Sequence, residues 1–151
     1  MNVIDLSPFM EGAVTEVLEA MCFTSAEGLA TAEEAQLETE LIWGELDFMG
    51  DVSGTFGIGV TLATAATIAA NFLGEEEAGL TQRETSEVIC ELTNMVCGTL
   101  LAQVNSKNIF TLSSPRPGSS GVPAAHHERI HRTYSIDNGY IHAWLEMRAF
   151  A

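Results

Sequence analysis

The chain has 151 residues, enough for one domain with a substantial core and too few for two comfortable ones. Its 46% apolar and 18% charged residues are those of a globular protein, without a low-complexity tract, so one folded domain is expected over residues 1–151. The formal charge of −15 lies in the first half: residues 1–82 hold fifteen acids and no Lys or Arg, while residues 83–151 hold six of each sign. Nucleic acid and anionic membrane surfaces are therefore excluded as partners, because phosphate binding needs clustered bases.

Cys22, Cys90 and Cys97 lack a paired-ligand spacing, and Cys90 and Cys97 stand two helical turns apart, so they read as free thiols. The N-terminus has no basic segment leading into an apolar run and a cleavage site, and a cytoplasmic location is expected. Residues 56–74 are nineteen mostly apolar positions. Their three Gly, several Thr and Asn71, with no flanking base, suit a buried strand running into a helix better than a membrane span.

Taken in chain order, Ser7-Pro8 is an N-cap and first-turn pair, and Phe9, Ala13, Val17, Ala20 and Met21 follow at helical spacing, predicting a helix over 8–23. Residues 24–36 read as a polar connection. Residues 37–48 and 52–62 read as a hairpin of long strands about Gly50-Asp51. A small-residue helix over 63–73 ends at Gly74, a C-cap, and acidic residues 75–77 lead to a long helix over 81–104. Residues 108–112 form a short strand, and 113–123 a loop holding three of the four prolines. Residues 130–136 and 140–147 are joined by Asp137-Asn138-Gly139, a hairpin signal. The order predicts an α+β domain with helices on one face of a largely antiparallel sheet.

The long helix carries the chemistry. On a helical wheel Val88, Ile89, Leu92, Met95, Val96 and Leu100 share an apolar arc, while Glu87, Glu91, Asn94 and Gly98 align opposite. Relative to Ala, mid-helix Asn costs up to about 0.7 kcal/mol and Gly about 1 kcal/mol. Helix stability is thus given up to present a carboxylate, an amide and then a missing side chain, and Gly98 would let another surface come close. A solvated polar face is the plain alternative.

The run Glu91-Leu-Thr-Asn94-Met-Val-Cys-Gly98 resembles the Glu-x-x-Asn signature of the CheC/CheX/FliY phosphatases, which dephosphorylate the chemotaxis response regulator CheY. In that family an Asp or Ser stands four residues before the Glu, and a Pro follows the Asn after twenty-two residues. Here Pro117 has that spacing, and the upstream position is Glu87, a departure, with Ser86 beside it. The likeness extends over nearly the whole chain and lies nearest the single-site CheX branch. It implies a CheC/CheX-like pseudo-repeat, and helix-plus-hairpin does occur twice. In the first helix Ser7, Glu11 and Val14 repeat the motif spacing with Val where Asn should be, so one active site per chain is expected.

The resemblance implies that Asn94 positions water at the aspartyl phosphate of a CheY-type receiver and that Glu91 contacts the receiver, with Glu87, Gly98 and Pro117 completing the docking surface. An amide is no general base, and phosphoryl transfer suits that limit because its catalysis is largely positioning and electrostatics. No cofactor is expected on this chain. Mg²⁺ belongs to the receiver. The family also implies a homodimer through sheet edges, for which the C-terminal hairpin with Trp144 and Phe150 offers apolar surface. A non-catalytic module that binds a receiver or a motor or signalling protein through the same helix is the alternative function. His126, His127 and His131 have a spacing that a metal could use, but only Glu128 stands beside them, and no metal site is expected.

Overall fold

The computed structural model describes residues 7–22, 26–29, 41–50, 53–104, 110–118, 129–136 and 139–148. Helix α1 (Ser7–Cys22) starts at the Ser-Pro pair, where proline suits the first turn. Strand β1 (Ala26–Leu29) follows, inside the stretch expected to be a polar connection. Four residues are too few to show an alternating pattern, and this strand exists through antiparallel pairing with residues 134–136, a contact distant in sequence.

Strands β2 (Leu41–Met49) and β3 (Ser53–Thr61) form the first hairpin, in register from Leu41↔Thr61 to Phe48↔Gly54. Asp51 of the expected turn lies outside the described residues. β3 runs straight into α2 (Leu62–Leu73), the strand-into-helix reading of the apolar 56–74 stretch. Thr61 manages the change of direction. Its buried hydroxyl lies 3.0 Å from that of Thr64 and accepts the Tyr140 amide at 3.3 Å. Gly74 ends α2 at φ 68°, and Glu75 N donates to Ala70 O at 3.0 Å, which satisfies a carbonyl the helix end would leave bare.

After a 3₁₀ turn (Glu77–Gly79), α3 (Gln82–Val104) opens with a capping box. Glu84 N donates to Thr81 Oγ1 and Thr81 N to Glu84 Oε1, both at 3.1 Å, so two orphan donors are satisfied and the helix register is fixed. Strands β4 (Thr111–Leu112) and β5 (Arg116–Pro117) both lie along β2, so the proline-rich stretch is not wholly loop. Strands β6 (Arg129–Ile136) and β7 (Gly139–Arg148) are the second long hairpin; Asp137 and Asn138 of its turn lie outside the described residues.

Among the described residues the sheet has seven strands in the order β1-β6-β7-β3-β2-β4, with β5 also on β2 and every pair antiparallel. The two hairpins meet at β3–β7, while β1 crosses to the second hairpin and β4 to the first. This exchange is what a pseudo-repeat predicts. It also places β7 between β6 and β3, while β1 pairs with β6 at residues 134–136. Trp144 is 5% exposed and its indole covers Gly57, so it is not apolar surface for a dimer; Phe150 lies outside the described residues.

All three described helices cover one sheet face. Met10, Val14 and Leu18 of α1, Ile68 of α2, and Ile89, Leu92, Val96 and Leu100 of α3 pack on Leu46, Phe48, Phe56, Ile58, Val60, Tyr134, Ile141 and Leu145. Each such large side chain contributes about 1.5–3 kcal/mol by leaving water. None of these helices is long and apolar enough to cross a membrane.

Candidate active site

The apolar arc of α3 decides where its polar residues go. With Val88, Ile89, Leu92, Val96 and Leu100 in the core, Glu87 and Glu91 are exposed and Asn94 and Gly98 lie partly buried at the surface. Glu91 and Asn94, three residues apart, share a face. Among the described residues no hydrogen bond or ion pair engages either side chain. A Cβ added at Gly98 would meet nothing within 4 Å, so the internal packing gives no steric reason for glycine there.

Gly44 brings the neighbouring wall into place. A Cβ there would stand 3.0 Å from Cys90 Cα, so only glycine lets α3 settle this closely on β2. Pro117 pairs with Gly44 on the next strand out and therefore comes to lie beside the same turn of α3. The result is an open groove of about 400 Å³ lined by Arg83, Ser86, Glu87, Cys90, Glu91, Pro115 and Pro117. Thus Glu87, Glu91 and Pro117 are brought together. Asn94 lies one helical turn beyond Glu91 and Gly98 one turn further, outside this lining.

Of the groove residues, Arg83, Cys90 and Pro115 were not singled out from the sequence as parts of a site. Arg83 had a signal: it is the first base in the chain and stands four residues before Glu87. Its Nε donates to Glu87 Oε1 at 3.2 Å, with both side chains well exposed, a pair of little stabilising weight. Its effect is to engage the carboxylate at the position where the family pattern has Asp or Ser.

The groove contains no ready nucleophile. Burial pushes the Cys90 thiol up from its ordinary range, and the Glu87 and Glu91 carboxylates push it further, so it stays protonated at neutral pH. Burial alone drives Cys97 up to about 12. Thr93, fully buried, donates to Ile89 O at 2.7 Å and faces the sheet. What remains for a partner is an anionic carboxylate and a neutral amide that both donates and accepts.

The histidines form a pair on the opposite sheet face. His131 Nε2 and His142 Nδ1 are 3.1 Å apart with stacked rings, and Thr133 Oγ1 lies 3.0 Å from the same His142 nitrogen. Among the described residues there is no group of three side chains able to hold a metal. His126 and His127 lie outside those residues.

Fold and site together define an α+β sheet protein that offers a helix-borne Glu–Asn pair beside a proline wall. The sequence matches the family described as chemotaxis phosphatase CheX over residues 42–127, more than half of the chain, and the chain belongs to that family. In structure it is similar to chemotaxis protein CheX from Vibrio vulnificus (21% identity, TM-score 0.79, 98% of this chain and 100% of that one). It is also similar to a CheC-like superfamily protein from a Shewanella species (20%, TM-score 0.73, 99% and 100%). A third likeness is to the CheX–CheY–BeF₃–Mg²⁺ complex of Borrelia burgdorferi (18%, TM-score 0.71, 97% and 100%). At these identities the likeness concerns the fold. No curated protein matches the sequence.

Proposed function

We propose that this protein is a phosphatase for the aspartyl phosphate of a CheY-type receiver. The carrying observation is that, among the described residues, α3 leaves the Asn94 amide and the Glu91 carboxylate unengaged on its outer face, next to an open groove with Pro117 in its wall. The B. burgdorferi relative, which forms a complex with CheY, supports this choice of partner.

In this reading Glu91 takes a charge-assisted contact with a cationic side chain of the receiver, which fixes the angle of approach. Asn94 then enters the receiver site and holds a water in line with phosphorus. The water oxygen bonds to phosphorus as the bond to the aspartyl oxygen breaks, giving inorganic phosphate and a free carboxylate. Asn94 takes no proton; its contribution is orientation. Mg²⁺ on the receiver supplies charge stabilisation. Gly98 leaves room for the receiver's loops, and Glu87, tethered to Arg83, borders the contact. The protein works as one domain with a single site per chain, in the cytoplasm and as a homodimer.

The test is the decay of a phosphorylated CheY-type receiver with and without the protein. Accelerated phosphate release supports the reading. Tight binding without acceleration leaves only the interaction-module function.

A further inference from the structure

Pro117 stands in the wall of the groove, yet β5 is two residues long and lies on the outer side of β2. So short an edge strand has few hydrogen bonds to oppose the entropy of ordering it. Its anchor is on the other face of the sheet. Successive strand residues point to opposite faces, so with Pro117 paired to Gly44 on the α3 side, Arg116, paired to Glu45, points away from the helices.

There the Arg116 guanidinium makes a three-point clamp. Nε donates to Glu45 Oε1 at 3.1 Å, Nη1 to Asp47 Oδ2 at 3.2 Å and Nη2 to Asp47 Oδ1 at 3.4 Å. Asp47 is itself oriented by Thr55, whose hydroxyl donates to Oδ1 at 2.7 Å. The chain on either side is tied down as well: Ser113 N donates to Asp47 O at 2.8 Å, and Gly118 N to Trp43 O at 3.0 Å. Arg116 is partly exposed, as are both carboxylates, so the clamp adds little to global stability. Its geometry instead fixes a local feature. A planar fork spanning two carboxylates sets the position of β5, and a point charge would not.

We propose that Arg116 is the positioning residue of the docking groove: by gripping Glu45 and Asp47 on the sheet face opposite the helices, it holds the Pro115–Pro117 wall against α3 and thereby sets receiver affinity. The effect on a receiver presupposes the phosphatase reading above, whereas the effect on the wall does not.

Two readouts keep these apart. In steady-state dephosphorylation, Arg116→Ala raises the receiver KM about fivefold with kcat within about twofold of wild type. Arg116→Lys, which keeps the charge and loses the fork, falls between the two. Adding Arg116→Ala to Pro117→Ala leaves KM no worse than in Pro117→Ala alone, since both act through one wall. An unchanged KM, a fall in kcat alone, or additive effects would overturn the proposal. The second readout needs no receiver. Cys90 lines the groove at 7% exposure, so its alkylation by a thiol reagent, followed by mass spectrometry, reports the wall. Arg116→Ala speeds that labelling about tenfold, as the wall leaves, with Arg116→Lys intermediate; equal rates in the three proteins refute the clamp even if the wild type proves to have no phosphatase activity.

Discussion

In α1, Glu11 is exposed while Val14 is fully buried in the core shared by the helices and the sheet; in α3, Glu91 is exposed and Asn94 stays at the surface. Both helices pack on the same sheet face and against each other. At the third motif position α1 adds apolar burial, worth about 1.5–2 kcal/mol for a valine. α3 forgoes up to about 0.7 kcal/mol of helix propensity and keeps an amide that no described residue engages. The same structural plan thus yields a buried apolar side chain in one half and an unengaged amide at the surface in the other.

Exchanging the two residues gives the largest effects. Val14→Asn buries an amide without a partner and should lower unfolding free energy by about 2–4 kcal/mol in denaturant titration. Asn94→Val should change stability by less than about 0.5 kcal/mol. Equal destabilisation of the two variants would show that positions 14 and 94 do not differ as described.

Acid should damage the scaffold common to both halves. His142 is buried, and burial, with a smaller contribution from His131, lowers its pKa from 6.5 to about 4. His131, Thr133 and the ring of Trp43 surround it. Between those two pH values the unfolded chain binds a proton that the folded chain refuses. Stability therefore falls as pH drops through that window, by on the order of 2 kcal/mol from this residue. His142→Gln should flatten the slope between pH 6.5 and 4.5; an unaltered slope would assign the loss to other groups.

Smaller again, Glu91→Lys should weaken receiver binding about tenfold by titration, Glu91→Gln less, and Glu11→Lys not measurably. Similar losses from Glu11→Lys and Glu91→Lys would make both merely long-range charge effects. A chelator should leave the thermal midpoint of the isolated protein unchanged, since the proposed reaction draws its Mg²⁺ from the receiver. A lowered midpoint would place a metal on this chain.

Much of this contrast was legible in the sequence because it depends on local periodicity. The apolar arc 88–100 put Glu91 and Asn94 outward, Gly74 closed α2, and the two long hairpins showed in paired strand-like runs about Gly50-Asp51 and Asp137-Asn138-Gly139. What escaped depends on contacts distant along the chain. β1 and β5 are strands through pairing with β6 and β2, and the Pro115–Pro117 wall meets α3 because Gly44 lets the helix descend. The β-rich run and its turn signal marked β7 as a strand but carried no information about its neighbours, which is why Trp144 read as dimer surface and proves to be interior. The capping box at Thr81 and Glu84, by contrast, rests on residues three apart and is local in the sequence.

The most direct test of the contrast is one dephosphorylation assay run on Glu11→Ala, Glu91→Ala and Asn94→Ala beside the wild type, with folding verified for each. Phosphate release should be near normal for Glu11→Ala, much reduced for Glu91→Ala, and at the receiver's own spontaneous rate for Asn94→Ala. Acceleration that persists in Asn94→Ala, or falls equally in Glu11→Ala, would contradict that contrast.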